Sequence, residues 1–236
     1  MVSRRIALSE LLGFFALSAL PTFPETQDVH KRKIAIVGDS LLVGASTSML
    51  TTGEKLRVSL LKLGEAVRIY GHVGATFAGI GDNPITESLG RDASYLRGAI
   101  VVVVLGSNDV LGASLMGTGQ QIFREQIRSS FNALNSLLAR YSVYKAAIIS
   151  LPAIEQSPAF QDNAKSRQSI RELRQTFDKA IASVIANPKW SQIPLSIDAS
   201  CFRETMPDGL HPNDKGIECL ATAYSDAVAS FIVKCR

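Results

Sequence analysis

Serine, histidine and aspartate carry the chemistry that this sequence suggests. Ser40 follows the apolar run Lys33–Val37, in Gly38-Asp39-Ser40-Leu41. A serine hydroxyl is a weak nucleophile until a base takes its proton. The chain has three histidines, His30, His72 and His211. His30 falls in or beside an expected leader, which leaves His72 and His211 as partners. His211 sits in Asp208-Gly209-Leu210-His211-Pro212. Asp208, three residues earlier on a tight loop, is placed to orient the imidazole and stabilise its protonated form. Pro212 suits the first turn of a closing helix, where its missing N–H costs nothing.

Attack on a carbonyl also needs donors for the negative charge that develops on oxygen. Ser40 opens a helix that begins near Leu41, so its own N–H is free of an intrahelical acceptor and points where charge could develop. Gly74, in Gly71-His72-Val73-Gly74, has no side chain and can bring its N–H close. Asn108, in Gly106-Ser107-Asn108-Asp109, offers a side-chain amide. Asp39 reads as a brace of its turn. Asp109 is divided between a turn role and a chemical one, and His72 reads as structural.

These residues need a frame that delivers them to one place. Lys33–Val37, Val67–Tyr70, Ala99–Leu105 and Ala146–Leu151 are short, continuous apolar runs, with a weaker fifth at Ile193–Ile197. Such runs fit strands buried on both faces. Gln120–Tyr141 repeats apolar residues at three and four, as do Ser166–Ala186 and a closing helix over Asn213–Val233. Alternating strands and helices predict an α/β protein with a parallel sheet covered on both sides. Ligands in such sheets bind at the carboxyl ends of the strands. Ser40, Gly74 and Asn108 each follow one of those ends.

Four blocks in this order resemble the SGNH hydrolase family, also called the GDSL lipase/esterase family. They are Gly38-Asp39-Ser40-Leu41, the Gly71–Gly74 segment, Gly106-Ser107-Asn108-Asp109 and Asp208-Gly209-Leu210-His211, and the resemblance spans roughly residues 33–235. It implies a three-layer α/β/α sandwich around a five-stranded parallel sheet, the flavodoxin-like SGNH fold. It implies Ser40 as nucleophile, His211 as base, Asp208 as its orienter, and Ser40, Gly74 and Asn108 as the oxyanion hole. Tyr70-Gly71-His72 stands where many members carry Asn before the glycines, so Gly71 competes with Gly74 for that role.

The resemblance implies hydrolysis of carboxylic esters through an acyl-enzyme on Ser40. The expected pocket walls are the loops Ala75–Arg97, Val110–Gly119 and Ala153–Lys165, with the glycine-rich Gly112–Gly119 able to admit an acyl chain or move as a flap. There is no lid-sized amphipathic insertion and no aromatic platform for a long glycan. Short-to-medium acyl esters are therefore favoured, on small-molecule, lipid or acylated-sugar alcohols. Polysaccharide O-deacetylation, lysophospholipase-like hydrolysis or acyl transfer by the same serine stay open, as does a catalytically idle carbohydrate- or lipid-binding module.

Composition narrows the classes further. The 236 residues are 46% hydrophobic and 19% charged, which suits one packed α/β domain and excludes a disordered chain or a coiled coil. The net charge of +4 is spread along the chain with no basic block for nucleic acid. Apolar runs in the body look too short to span a bilayer. No GxGxxG or GxxxxGK[ST] pattern appears, and no histidine cluster accompanies Asp39, Asp109 and Asp208, so neither a cofactor nor a metal is expected. No obligate protein partner is evident. Residues 1–27, with Arg4, Arg5 and the apolar stretch Leu11–Leu20, read as a signal peptide or an N-terminal anchor ahead of a domain over 28–236, although Glu10 interrupts the apolar segment. A secreted or periplasmic location follows, or a membrane tether. Cys201, Cys219 and Cys235 all lie near the C-terminus. One pair among them is expected to bridge in an oxidising compartment, with three free thiols as the alternative.

Overall fold

Apolar runs without alternation become the strands. The computed structural model describes residues 32–44, 51–62, 66–79, 84–185, 188–197, 199–205 and 208–235. Five strands, β1 (Lys33–Gly38), β2 (Ala66–Gly71), β3 (Ile100–Val104), β4 (Lys145–Ile149) and β5 (Trp190–Ile193), pair in parallel in the order β2-β1-β3-β4-β5. Every residue of β3 is buried, as the centre of a sheet covered on both faces requires. At the edge, β2 leaves Arg68 exposed.

Eight helices surround the sheet among the described residues: α1 (Ser40–Val43), α2 (Thr52–Lys62), α3 (Pro84–Arg91), α4 (Ala93–Leu96), α5 (Ser107–Leu115), α6 (Gln120–Arg140), α7 (Ala164–Val184) and α8 (Asp214–Lys234). The chain reverses its lateral direction after β2, so its crossovers cover both faces of the sheet. α2 packs on α8, while α5 and α6 pack on α7. The result is a three-layer α/β/α sandwich. Phe123, Ile127, Phe131, Leu134 and Leu138 form the buried stripe of α6. Phe131 packs on Trp190 with ring centroids 4.8 Å apart, which fixes α6 to β5.

Four expectations change. The fifth strand is Trp190–Ile193, upstream of the expected Ile193–Ile197, because Pro194 has no N–H for a further rung. The wall expected as a flexible loop over Val110–Gly119 is helical as far as Leu115. Val110 and Ala113 bury against the core there, and their packing outweighs the helix cost of Gly112. Two short helices, α3 and α4, occupy much of the expected Ala75–Arg97 loop. By length and composition α8 is apolar enough to cross a membrane, contrary to the reading of the body segments. Its Leu220, Tyr224 and Val228 are fully buried, so within this domain that apolarity serves the core. The expected leader, residues 1–27, lies outside the described residues.

Candidate active site

Ser40 stands where β1 runs into α1. Asp39 caps that helix, its Oδ1 accepting the Leu41 N–H at 3.0 Å, and Ser40 is the first helical residue. Gly38 lets the turn close tightly: a Cβ there would lie 2.6 Å from Leu42 Cδ2. Asp39 is thus the brace that the sequence suggested. Burial pushes its carboxyl up to about 7, against the Leu41 hydrogen bond and with a contribution from the charge of Asp109. Its second oxygen has no hydrogen-bond partner among the described residues, and neither has the Tyr224 hydroxyl, whose own titration is raised by burial and, to a lesser degree, by the Asp39 charge.

His211 reaches Ser40 from 171 positions away in the chain. Its Nε2 lies 3.2 Å from Ser40 Oγ, and its Nδ1 lies 2.6 Å from Asp208 Oδ2. Asp208 Oδ1 also accepts the N–H groups of Leu210 and His211, at 2.9 and 3.0 Å. Partial burial would raise Asp208, but the His211 ring and these two N–H groups outweigh it and hold the carboxyl below its ordinary range. With Nδ1–H donating to Asp208, the imidazole presents an unprotonated Nε2 to the serine hydroxyl.

Two sets of contacts hold this turn. Gly209 has φ +69, and its carbonyl accepts the Ala159 N–H at 3.1 Å and the Ser157 hydroxyl. A Cβ on Gly209 would lie 2.9 Å from Ala159 N, so the position requires glycine on two counts. Behind it, Asn213 caps α8 through Lys215 N and Gly216 N, and its own N–H donates to the Glu204 carbonyl at 3.0 Å. A disulfide joins Cys201, in the 3-10 turn Ala199–Phe202, to Cys219 on α8, and Cys235 is free and buried.

Asn108 is the second residue of α5, which follows Gly106, whose φ of +129 starts the turn. Its Nδ2 donates one hydrogen to the Ala75 carbonyl at 2.9 Å, which leaves the second hydrogen of the amide for a ligand. Asp109 holds structure: its two oxygens accept the Phe77 and Ala78 N–H groups, both at 2.7 Å. Burial raises its carboxyl against those two bonds. Gly71 and Gly74 now separate. Gly71 is paired in β2, where a Cβ would meet Val43 Cγ1 at 2.0 Å, so close packing demands a glycine. Gly74 lies in the exposed turn beyond the strand at φ +78. His72 is exposed, and its backbone N–H donates to Gly38 O.

A small cavity lies against Ser40 and His211, walled by Leu111, Ile154 and Leu210. A larger open cleft of about 490 Å³, lined by Ala113, Met116 and Phe123 as well as Thr76, Thr118 and Gln126, shares Asn108 with it as a lining residue. No cluster of three metal-ligating side chains occurs among the described residues.

The sequence matches the model of the GDSL-like lipase/acylhydrolase family over residues 36–218. The chain belongs to this family. Solved relatives share its fold at low identity. A lipase, Lip_vut3, from a goat rumen metagenome aligns at TM-score 0.58 and 15% identity, covering 84% of this chain and 97% of its own. A member of the lipolytic G-D-S-L family from Veillonella parvula aligns at 0.55 and 16%, covering 83% and 97%. The acetylxylan esterase Axe2 from Geobacillus stearothermophilus aligns at 0.56 and 13%, covering 84% and 94%. No curated protein matches the sequence. Family membership identifies a hydrolase of small ester or lipid-type substrates.

One group near the site went unread in the sequence. Glu155, 2% exposed, takes Arg174 Nη2 at 2.9 Å and Nε at 3.2 Å, with Arg171 Nε at 3.8 Å. This pair fixes the segment carrying Ile154 and Ser157 onto α7. The partners are 19 positions apart, and only the tertiary fold brings them together.

Proposed function

We propose that the protein is a serine esterase that hydrolyses short-to-medium acyl esters through an acyl-enzyme on Ser40. The alignment of Ser40 Oγ, His211 Nε2 and Asp208 Oδ2 carries this reading. His211 takes the serine proton as Oγ attacks the ester carbonyl, and Asp208 stabilises the imidazolium. The Ser40 and Gly74 N–H groups and the second Asn108 amide hydrogen receive the oxyanion, a few kcal/mol of transition-state stabilisation per donor. His211 then passes its proton to the departing alcohol. Water attacks the acyl-serine with His211 again as base and releases the acid. No cofactor enters these steps. The Cys201–Cys219 disulfide supports an oxidising location, in line with export of the chain.

A fluorophosphonate probe and p-nitrophenyl acetate test this directly. Labelling and turnover in the wild type are expected, with loss of both in Ser40→Ala. In His211→Ala, kcat is expected to fall by at least about 10³. Undiminished turnover in Ser40→Ala overturns the reading.

A further inference from the structure

We propose that the acyl side of this site is built for an acetyl group, so that the substrate is the acetyl ester of a larger alcohol. The proposal rests on Ser40 being the nucleophile. The space beside Ser40 that the centre of a water molecule can occupy is about 10 Å³. One water needs about 10–15 Å³ on that scale, and a methyl group is of similar size. Leu111, Ile154 and Leu210 close the space with apolar surface, the chemistry of an acyl subsite rather than of a sugar or headgroup subsite. A longer chain has to displace one of these side chains or turn out into water, where its methylenes gain nothing from burial.

Two of the three walls are held against displacement. Ile154 is 1% exposed, and its neighbour Glu155 is locked by the two bonds to Arg174. Leu210 follows Gly209, whose carbonyl is held by Ala159 N–H and the Ser157 hydroxyl from the segment that carries Ile154. Two walls therefore share one scaffold, and that scaffold also carries Asp208 and His211. Opening the cavity for a longer acyl group pulls on the base itself. Long esters are expected to lose kcat as well as affinity. The alcohol is given more room, because a cleft of about 490 Å³ shares Asn108 with the cavity as a lining residue.

The test is kcat/KM for p-nitrophenyl acetate, butyrate and octanoate, with wild type, Ser40→Ala, Ile154→Ala and Leu210→Ala. In the wild type, acetate should exceed butyrate by at least about 10-fold, within the range that added methylenes command in an apolar pocket, and octanoate should approach the Ser40→Ala background. Ile154→Ala should raise the butyrate-to-acetate ratio about 10-fold. Leu210→Ala, at a half-buried position, gives the same reading where Ile154→Ala folds poorly. Butyrate or octanoate turned over by the wild type as fast as acetate, and dependent on Ser40, overturns the size limit and leaves the esterase reading standing. An absence of Ser40-dependent turnover on all three esters overturns both.

Discussion

Asp109 accepts the Phe77 N–H at 2.7 Å, and with the matching Ala78 bond it fastens the loop after β2 to the first turn of α5. These are the two segments that carry Gly74 and Asn108. The spacing between two proposed oxyanion donors is therefore set by a buried carboxylate that itself faces two N–H groups. Asn108 adds a third bond across the same junction, to the Ala75 carbonyl.

Removal of this clamp should appear in turnover as well as in stability. Asp109→Ala orphans two N–H groups and should cost about 1–3 kcal/mol. At about 2–4 °C per kcal/mol for a domain of this size, Tm should drop by several degrees. In the folded variant, measured well below Tm, kcat on p-nitrophenyl acetate should fall at least about 10-fold with KM little changed, because the donors act on the transition state. A lower Tm with unchanged kcat would show that the clamp holds the fold and not the donors.

Asp39 predicts a pH dependence of opposite kind to the usual surface carboxylate. Burial raises its carboxyl to about 7 in the folded chain, against about 3.9 for an unfolded aspartate. Between those values the folded state holds a proton that the unfolded state has lost. Stability from this group therefore falls as pH rises from about 4 to about 7, and is lowest above that window. Asp39→Asn keeps an oxygen to accept the Leu41 N–H and removes the charge. Its Tm should exceed that of the wild type by a few degrees at pH 8, and the difference should close as the pH approaches 4. A Tm difference that stays constant from pH 4 to pH 8 would show that Asp39 is not the titrating group.

Most of the frame was legible because it rests on local pattern. The continuous apolar runs of β1 and β3 admit little but buried strands, and the turn residues after them stand out as polar interruptions. That placed Ser40, Asn108 and the Asp208–His211 loop at one sheet edge, where the structure brings Ser40, His211 and Asp208 into hydrogen-bond reach. Where local pattern was silent, tertiary packing decided. Gly112–Gly119 read as a loop able to admit an acyl chain or move as a flap, yet the buried Val110 and Ala113 carry a helix through Gly112 as far as Leu115, with Gly117 and Gly119 beyond its end. Gly71 competed with Gly74 for the oxyanion role in the sequence, but one lies under Val43 within the sheet and the other turns at positive φ. Glu155 and Arg174 gave no signal at all, since neither spacing nor composition marks two residues on different elements as a buried pair.

The disulfide makes the last prediction, which separates holding the fold from holding the site. The bridge between Cys201 and Cys219 closes an 18-residue separation that encloses both Asp208 and His211. A loop of that length restricts the unfolded chain by about 3 kcal/mol in the chain-entropy account. Native geometry has other support: Thr205 bridges Pro212, Asn213 N–H reaches Glu204 O, and Ala159 and Ser157 hold Gly209. Reduction should therefore lower Tm by about 6–12 °C. Esterase kcat/KM at 20 °C should stay within about threefold, because the remaining bonds still place the loop. A peptide map of the native protein should show Cys201 linked to Cys219. Cys235, whose buried thiol is shifted upward, should resist alkylation until the chain unfolds. If reduction abolishes turnover at 20 °C while circular dichroism shows the fold intact, the disulfide positions His211 and the bonds at Gly209 and Asn213 do not suffice.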